Sequence, residues 1–106
     1  KKAHENAQLL SEREHVTLYL RSHPESFRLG EVEAQEDWAS LRWTVDEAVD
    51  FALMKKIFSL LYPVQPDFSM EDILDLIKKH PALAQYNAGI LRNEGLFKSL
   101  QHDKVI

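Results

Sequence analysis

The hydrophobic period of this chain changes at residue 46, and no other feature limits its fold as strongly. In LRWTVDEAVDF (41–51), Leu41, Trp43 and Val45 alternate with Arg42 and Thr44, which is the period of a strand. From Glu47 onward, Ala48, Phe51, Ala52, Ile57, Phe58 and Leu61 recur at three- and four-residue steps, the period of one buried helix face. The backbone must therefore pass from extended to helical with an acid, Asp46, on the junction. An aspartate there can cap the helix by accepting from the amide of Ala48 or Val49, worth about 1 kcal/mol. Thr44 with Glu47 offers a competing capping box. A carboxylate at the end of a strand feeding a helix is also where open α/β sheets bind ligands, and its oxygens suit Mg²⁺. Asp50 follows Asp46 by four residues, so the two carboxylates share a helix face and could share a metal. The alternative is that both are simply acids favoured by the helix dipole.

The remaining segments are read the same way. Residues 2–10 are weakly amphipathic through Ala3, Ala7 and Leu10. Ser11 with Glu14 predicts a capping box that opens a helix at Glu12, with Val16, Tyr19 and Leu20 as its apolar stripe and Pro24 near its end. SFRLGEVEA (26–34) alternates around Gly30 and predicts a second strand to pair with 41–45. The helix that starts at Glu47 should run to about Tyr62, where Pro63 and Pro66 punctuate a loop. Ser69 with Asp72 predicts a cap for a helix that turns Ile73, Leu74 and Ile77 inward. A short helix follows Pro81, with Gly89 placed as its C′ residue, and the last five residues should fray. The expectation is a single α/β portion over 1–106, mostly helical with a short strand pair.

Composition narrows the function classes. A chain of 106 residues with 44% hydrophobic and 28% charged residues can form one modest core. Its net charge of −4 and scattered Lys and Arg argue against nucleic acid as a partner. It has no cysteine, hence no disulfide or thiolate metal site, and its five histidines lack zinc-site spacing. The lack of cysteine fits a reducing cytoplasm, and no apolar run approaches the ~20 residues that span a bilayer, so no membrane partner is expected. No Gly-rich phosphate loop or dinucleotide fingerprint is present. The opening KKAHENAQLL lacks an initiator Met and is already in helical register, as in a piece of a longer protein. Two polar groups stand out besides Asp46 and Asp50. Arg13 and His15 combine a bidentate fork with a titratable ring, fit for an anionic sugar or phosphate. Arg92, Asn93 and Glu94, followed by Gly95, place a cation, an amide and an acid in one loop.

Taken together, SEREHVTLY (11–19), RWTVDEAVDFALMKKIF (42–58) and FSMEDILDLIKKHPALAQYN with RNEGLFKSL (68–100) go beyond generic patterning. Their combination resembles the C-terminal part of the cytidylyltransferase family that includes spore-coat polysaccharide biosynthesis proteins. That family is itself similar to the synthetases of CMP-activated acidic sugars. The resemblance implies a Rossmann-like nucleotidyltransferase fold and a parent enzyme that joins a sugar to CMP from CTP, releasing pyrophosphate with the aid of Mg²⁺. It aligns Val45–Asp50 with a strand-to-helix VDTPED motif, making Asp46 and Asp50 the metal-side acids. The departure at the Thr-Pro positions, here Glu47 and Ala48, leaves the helix start intact, since Pro is favoured but not required there. On this reading Arg13 and His15 are the catalytic pair near sugar or phosphate, while residue type alone assigns Arg92, Asn93 and Glu94 to ligand binding on the acceptor-sugar side. The resemblance places the nucleotide-binding half N-terminal to this segment, so the segment alone should be inactive. The alternative is a non-catalytic interaction or dimerisation module in which exposed strands pair with a second copy.

Overall fold

Six helices and one 3₁₀ turn account for all the regular structure in the computed structural model, which describes residues 1–106. They are α1 (Lys2–Asn6), α2 (Leu10–Glu14), α3 (Leu18–Ser22), α4 (Ala48–Leu61), α5 (Met70–Lys79), the 3₁₀ turn Pro81–Gln85, and α6 (Glu94–Gln101). They form two compact units, one of Lys1–Glu33 with Leu91–Ile106 and the other of Ala34–Ile90.

In the second unit, α4 and α5 pack together with the 3₁₀ turn behind them. Leu53, Ile57, Ile77 and Leu83 are its buried centre, and Leu41, Trp43, Met54, Leu61, Phe68, Ile73 and Leu76 close around it. The helix α5 begins where the sequence predicts. The Ser69 amide donates to Asp72 Oδ2 at 2.8 Å, and the Asp72 amide donates back to Ser69 Oγ at 3.3 Å. The start of α4 also agrees, but its rotation does not. Phe51 is 57% exposed and Phe58 51%, whereas Asp50 and Leu53 are inside. The buried stripe is 50, 53, 57, set by the carboxylate that the helix start draws inward. Gly89 does not take the left-handed C′ conformation expected of it, since no glycine here has positive φ.

In the first unit, α2 packs on both α3 and α6. Ser11 is not the predicted cap. Instead Glu12 Oε2 accepts from the amides of Gln8 and Leu9 at 2.8 and 3.0 Å, so α2 starts earlier, at Leu10. Ser11 is buried, and its amide and hydroxyl donate to the two Asp103 oxygens at 3.0 and 2.6 Å. The chain end therefore does not fray. Leu9 and Val105 form an antiparallel bridge, and the Ile106 amide donates to the Gln8 carbonyl at 2.9 Å.

The expected strand pair is absent, and so are the α/β architecture and the Rossmann-like fold. The chain has no sheet, and its only β pairing is that isolated bridge. Homodimerisation through exposed strands loses its basis with it. The physical reason is that neither segment has a ladder partner. Val32 is 102% exposed and Leu29 also faces out, so of 26–34 only Phe27 is packed, edge-on against Tyr19 rather than in a ladder. Residues 41–45 keep their alternation only in part. Leu41 and Trp43 pack against the α4 core, while Val45 is exposed. The Arg42 carbonyl accepts from Asn87 Nδ2 at 3.0 Å rather than from a strand. The Trp43 indole N–H has no hydrogen-bond partner, so packing alone holds that ring.

Truncating this centre should be costly and truncating the outer loop should not. Ile57→Ala, at a fully buried position, is expected to cost about 2–5 kcal/mol. Ser69→Ala is expected to cost about 1 kcal/mol, and Val32→Ala less than about 0.5 kcal/mol. Urea unfolding of the three variants checks the ranking.

Candidate functional site

The junction at residue 46 folds around a buried ion pair. Arg42, at the middle of the extended segment, donates from Nε to Asp50 Oδ1 at 2.9 Å and from Nη2 to Asp50 Oδ2 at 3.0 Å. This is the two-pronged geometry that makes guanidinium–carboxylate pairs strong. Asp50 Oδ2 also accepts from the amides of Asp46 and Glu47 at 3.0 and 2.9 Å. The Glu47 amide belongs to the N-cap residue of α4, and the Asp46 amide immediately precedes it. Asn87, itself buried, donates to Asp50 Oδ1 at 2.7 Å. Five donated hydrogen bonds thus converge on a carboxylate that is 0% exposed.

The electrostatics follow from those partners. The Arg42 hydrogen bond holds the Asp50 carboxyl far below the usual carboxylate range. Burial opposes this, while Asn87 and the Glu47 and Asp46 amides reinforce it. The same pairing raises Arg42, against its own desolvation and with further help from the charges of Asp50 and Asp46. Both groups are therefore charged at every physiological pH.

Asp46 is not the helix cap; Asp50 serves that purpose from one turn inside the helix. The Asp46 side chain is 69% exposed and receives Arg42 Nη2 on Oδ2 at 3.1 Å. Its Oδ1 has no protein donor. Arg42 thus binds a buried acid with one edge and steadies an exposed acid with the same terminal nitrogen. The two acids singled out in the sequence do come together, but through a cation that had been read only as the outer face of a strand. Its spacing in Arg42–Asp46–Asp50, four residues each time, was the available signal. Asn87, 37 positions from Asp50, gave none.

As a Mg²⁺ site this arrangement does not fit by itself. Both Asp50 oxygens are occupied by donors, leaving Asp46 as one exposed carboxylate. No group of three or more acidic, histidine or cysteine side chains in the chain is placed to hold a metal ion.

The other candidates lie in the first unit. Arg13 and His15 turn to different partners. Arg13 Nη1 donates to His4 Nδ1 at 2.9 Å, while His15 Nε2 meets Ser99 Oγ at 2.9 Å, and that hydroxyl donates to Glu14 Oε2 at 2.7 Å. Arg92 is exposed, and Glu94 forms an ion pair with Lys98 at 2.8 Å along α6. Asn93 leads into α6 with φ of 59°, the only positive φ in the chain. Asparagine takes that left-handed position more readily than most side chains, and the neighbouring Gly95 does not need to.

No protein-family model matches the chain, and no solved structure does. The chain is similar to the spore coat polysaccharide biosynthesis protein SpsF of Bacillus subtilis (strain 168), with 33% identity over 73 residues. The matched stretch is 67% of this chain and 30% of that protein. The similarity thus relates part of this chain to less than a third of one spore coat polysaccharide biosynthesis protein. No helix is long and apolar enough to cross a membrane.

The buried carboxylate should leave a pH signature. Asp50 binds its proton less readily folded than unfolded, so the unfolded state takes up more protons once the pH falls below about 4. The stability from this pair is thus complete above that value and is lost progressively below it. Asp103, lowered by the Ser11 hydroxyl and amide, adds to the slope with the same sign. In thermal melts, Asp50→Asn should lower Tm at pH 7 by roughly 10 °C or more and flatten the decline below pH 4. An unchanged acid limb in this variant would sink the assignment.

Proposed function

We propose that this chain is a portion of a nucleotide-sugar cytidylyltransferase, in which the parent protein activates a sugar with CTP and releases pyrophosphate. Asp46 is the carboxylate that faces the reacting phosphates. The similarity to SpsF supports the biosynthetic setting. The observation that carries the residue choice is the Arg42 clamp, which spends Asp50 on structure and leaves Asp46 exposed with one uncommitted oxygen.

Asp46 is the residue of this chain that would help to hold Mg²⁺ in the parent, where the ion would neutralise phosphate charge. The chain's own contribution is positional. The five-bonded Asp50 fixes the first turn of α4, and Arg42 limits where the Asp46 carboxylate can move. Preorganised charge of this kind avoids reorganisation cost during reaction. Asp46→Asn in the parent protein is expected to lower CTP-dependent pyrophosphate release by about 100-fold or more, with Tm nearly unchanged because the side chain is exposed. Wild-type turnover by a folded Asp46→Asn protein would overturn the proposal. The chain by itself is expected to release no pyrophosphate from CTP, checked by a coupled phosphate assay.

A second reading, an interaction module, is favoured by one observation. The outward face of α4 leaves Phe51 exposed in a groove that it lines with Ala48, Ala52 and Tyr86. Sedimentation at rising concentration tests self-association directly, and a strict monomer would count against a homodimer.

A further inference from the structure

Acids outnumber bases in this chain, 17 to 13, so basic side chains gathered without an acid partner call for an explanation. In the first unit Lys2, His4 and Arg13 line one cavity of about 250 Å³, whose walls include Ala7, Glu12 and Phe27. None of the three basic residues forms an ion pair. Lys2 Nζ lies 3.5 Å from the Ser26 carbonyl and 5.3 Å from the centroid of the Phe27 ring. Arg13 Nη1 meets His4 Nδ1 at 2.9 Å, and its Nη2 reaches the Ala7 carbonyl at 3.5 Å. Glu12, the acid in the lining, has turned Oε2 to the amides of Gln8 and Leu9 instead. The charges of Lys2 and Arg13 are thus left without a counter-ion in the cavity lining, and a negative group shared between them would supply one. An arginine satisfied only by a ring nitrogen and a carbonyl also keeps donors of its planar fork for an oxyanion.

We propose that this cavity is an oxyanion-binding site, in which Arg13, His4 and Lys2 together take a phosphate or carboxylate group carried by a small molecule. Its volume is below the roughly 300–1,000 Å³ of pockets for drug-sized ligands, which suits a compact anion, with the Phe27 face available to an apolar edge. His15, which had been paired with Arg13 from the sequence, takes no part; it is held by Ser99. The site belongs to the first unit and does not rest on the reading of Asp46, so its test uses neither CTP nor Mg²⁺.

The test is a titration of the isotope-labelled chain with inorganic phosphate at constant ionic strength, followed by amide shifts. Saturable shifts are expected, concentrated in α1, α2 and around Phe27. Arg13→Gln should weaken binding about tenfold or more, the loss expected for a charge-assisted pair. Arg28→Gln, which removes the same charge from an exposed residue outside the cavity, should change it by less than about twofold. Parallel titrations with glucose 1-phosphate and glucuronate separate the two sources, since tighter binding of one names the phosphate or the carboxylate as the group taken. Circular dichroism confirms that the variants fold. If Arg13→Gln does not, His4→Gln and Lys2→Gln, both at exposed side chains, carry the test, and each should weaken binding. Non-saturating shifts, equal losses in Arg13→Gln and Arg28→Gln, or full binding by both His4→Gln and Lys2→Gln would each overturn the proposal.

Discussion

The Arg42–Asp50 pair is the constraint on which the second unit depends. Burying a carboxylate is costly unless every lone pair has a donor and the charge has a counter-ion. Here both conditions are met at once, by a guanidinium, a side-chain amide and two backbone amides. Because the carboxylate must point inward to collect them, it fixes the rotation of α4. Leu53 and Ile57 follow it into the core, and Phe51 and Phe58 are left outside. Asn87 joins the pair to the segment after the 3₁₀ turn, so three separate stretches of chain meet at one side chain.

The first unit is organised by a smaller version of the same device. Asp103 accepts from the amide and hydroxyl of buried Ser11, tying the last residues to α2 beside the Leu9–Val105 bridge. A polar group drawn into a helical interface again does what a larger apolar core would do in a bigger domain. Its five-residue helices are too short to be stable in isolation, so such long-range polar contacts, together with the stacked Tyr19 and His23 rings, supply the order.

These structural demands bear directly on function. Two aspartates at the start of a helix invite a two-acid metal site, yet one of them is consumed in making the helix start at all. What remains is a division of labour, with Asp50 as the positioning acid and Asp46 as the exposed one. The similarity to SpsF covers 30% of that protein's length, and under the function proposed above Asp46 is the one carboxylate that this chain brings to the site.

The sequence by itself determined where the helices α4 and α5 lie, because period, the Ser69–Asp72 cap and the prolines after Tyr62 are local signals. It also marked residues 42–50 as chemically unusual, through an acid at a change of period. Only the tertiary structure decided which acid is buried, since the deciding donors come from Arg42 on an extended segment and from Asn87 beyond two further elements. The strand pair was lost for the same kind of reason. Alternation reports which side chains can share a face, but a strand exists only when a second backbone supplies its hydrogen bonds. Here the Arg42 carbonyl is satisfied by an asparagine side chain, and in the segment expected to pair with it only Phe27 is packed, against Tyr19.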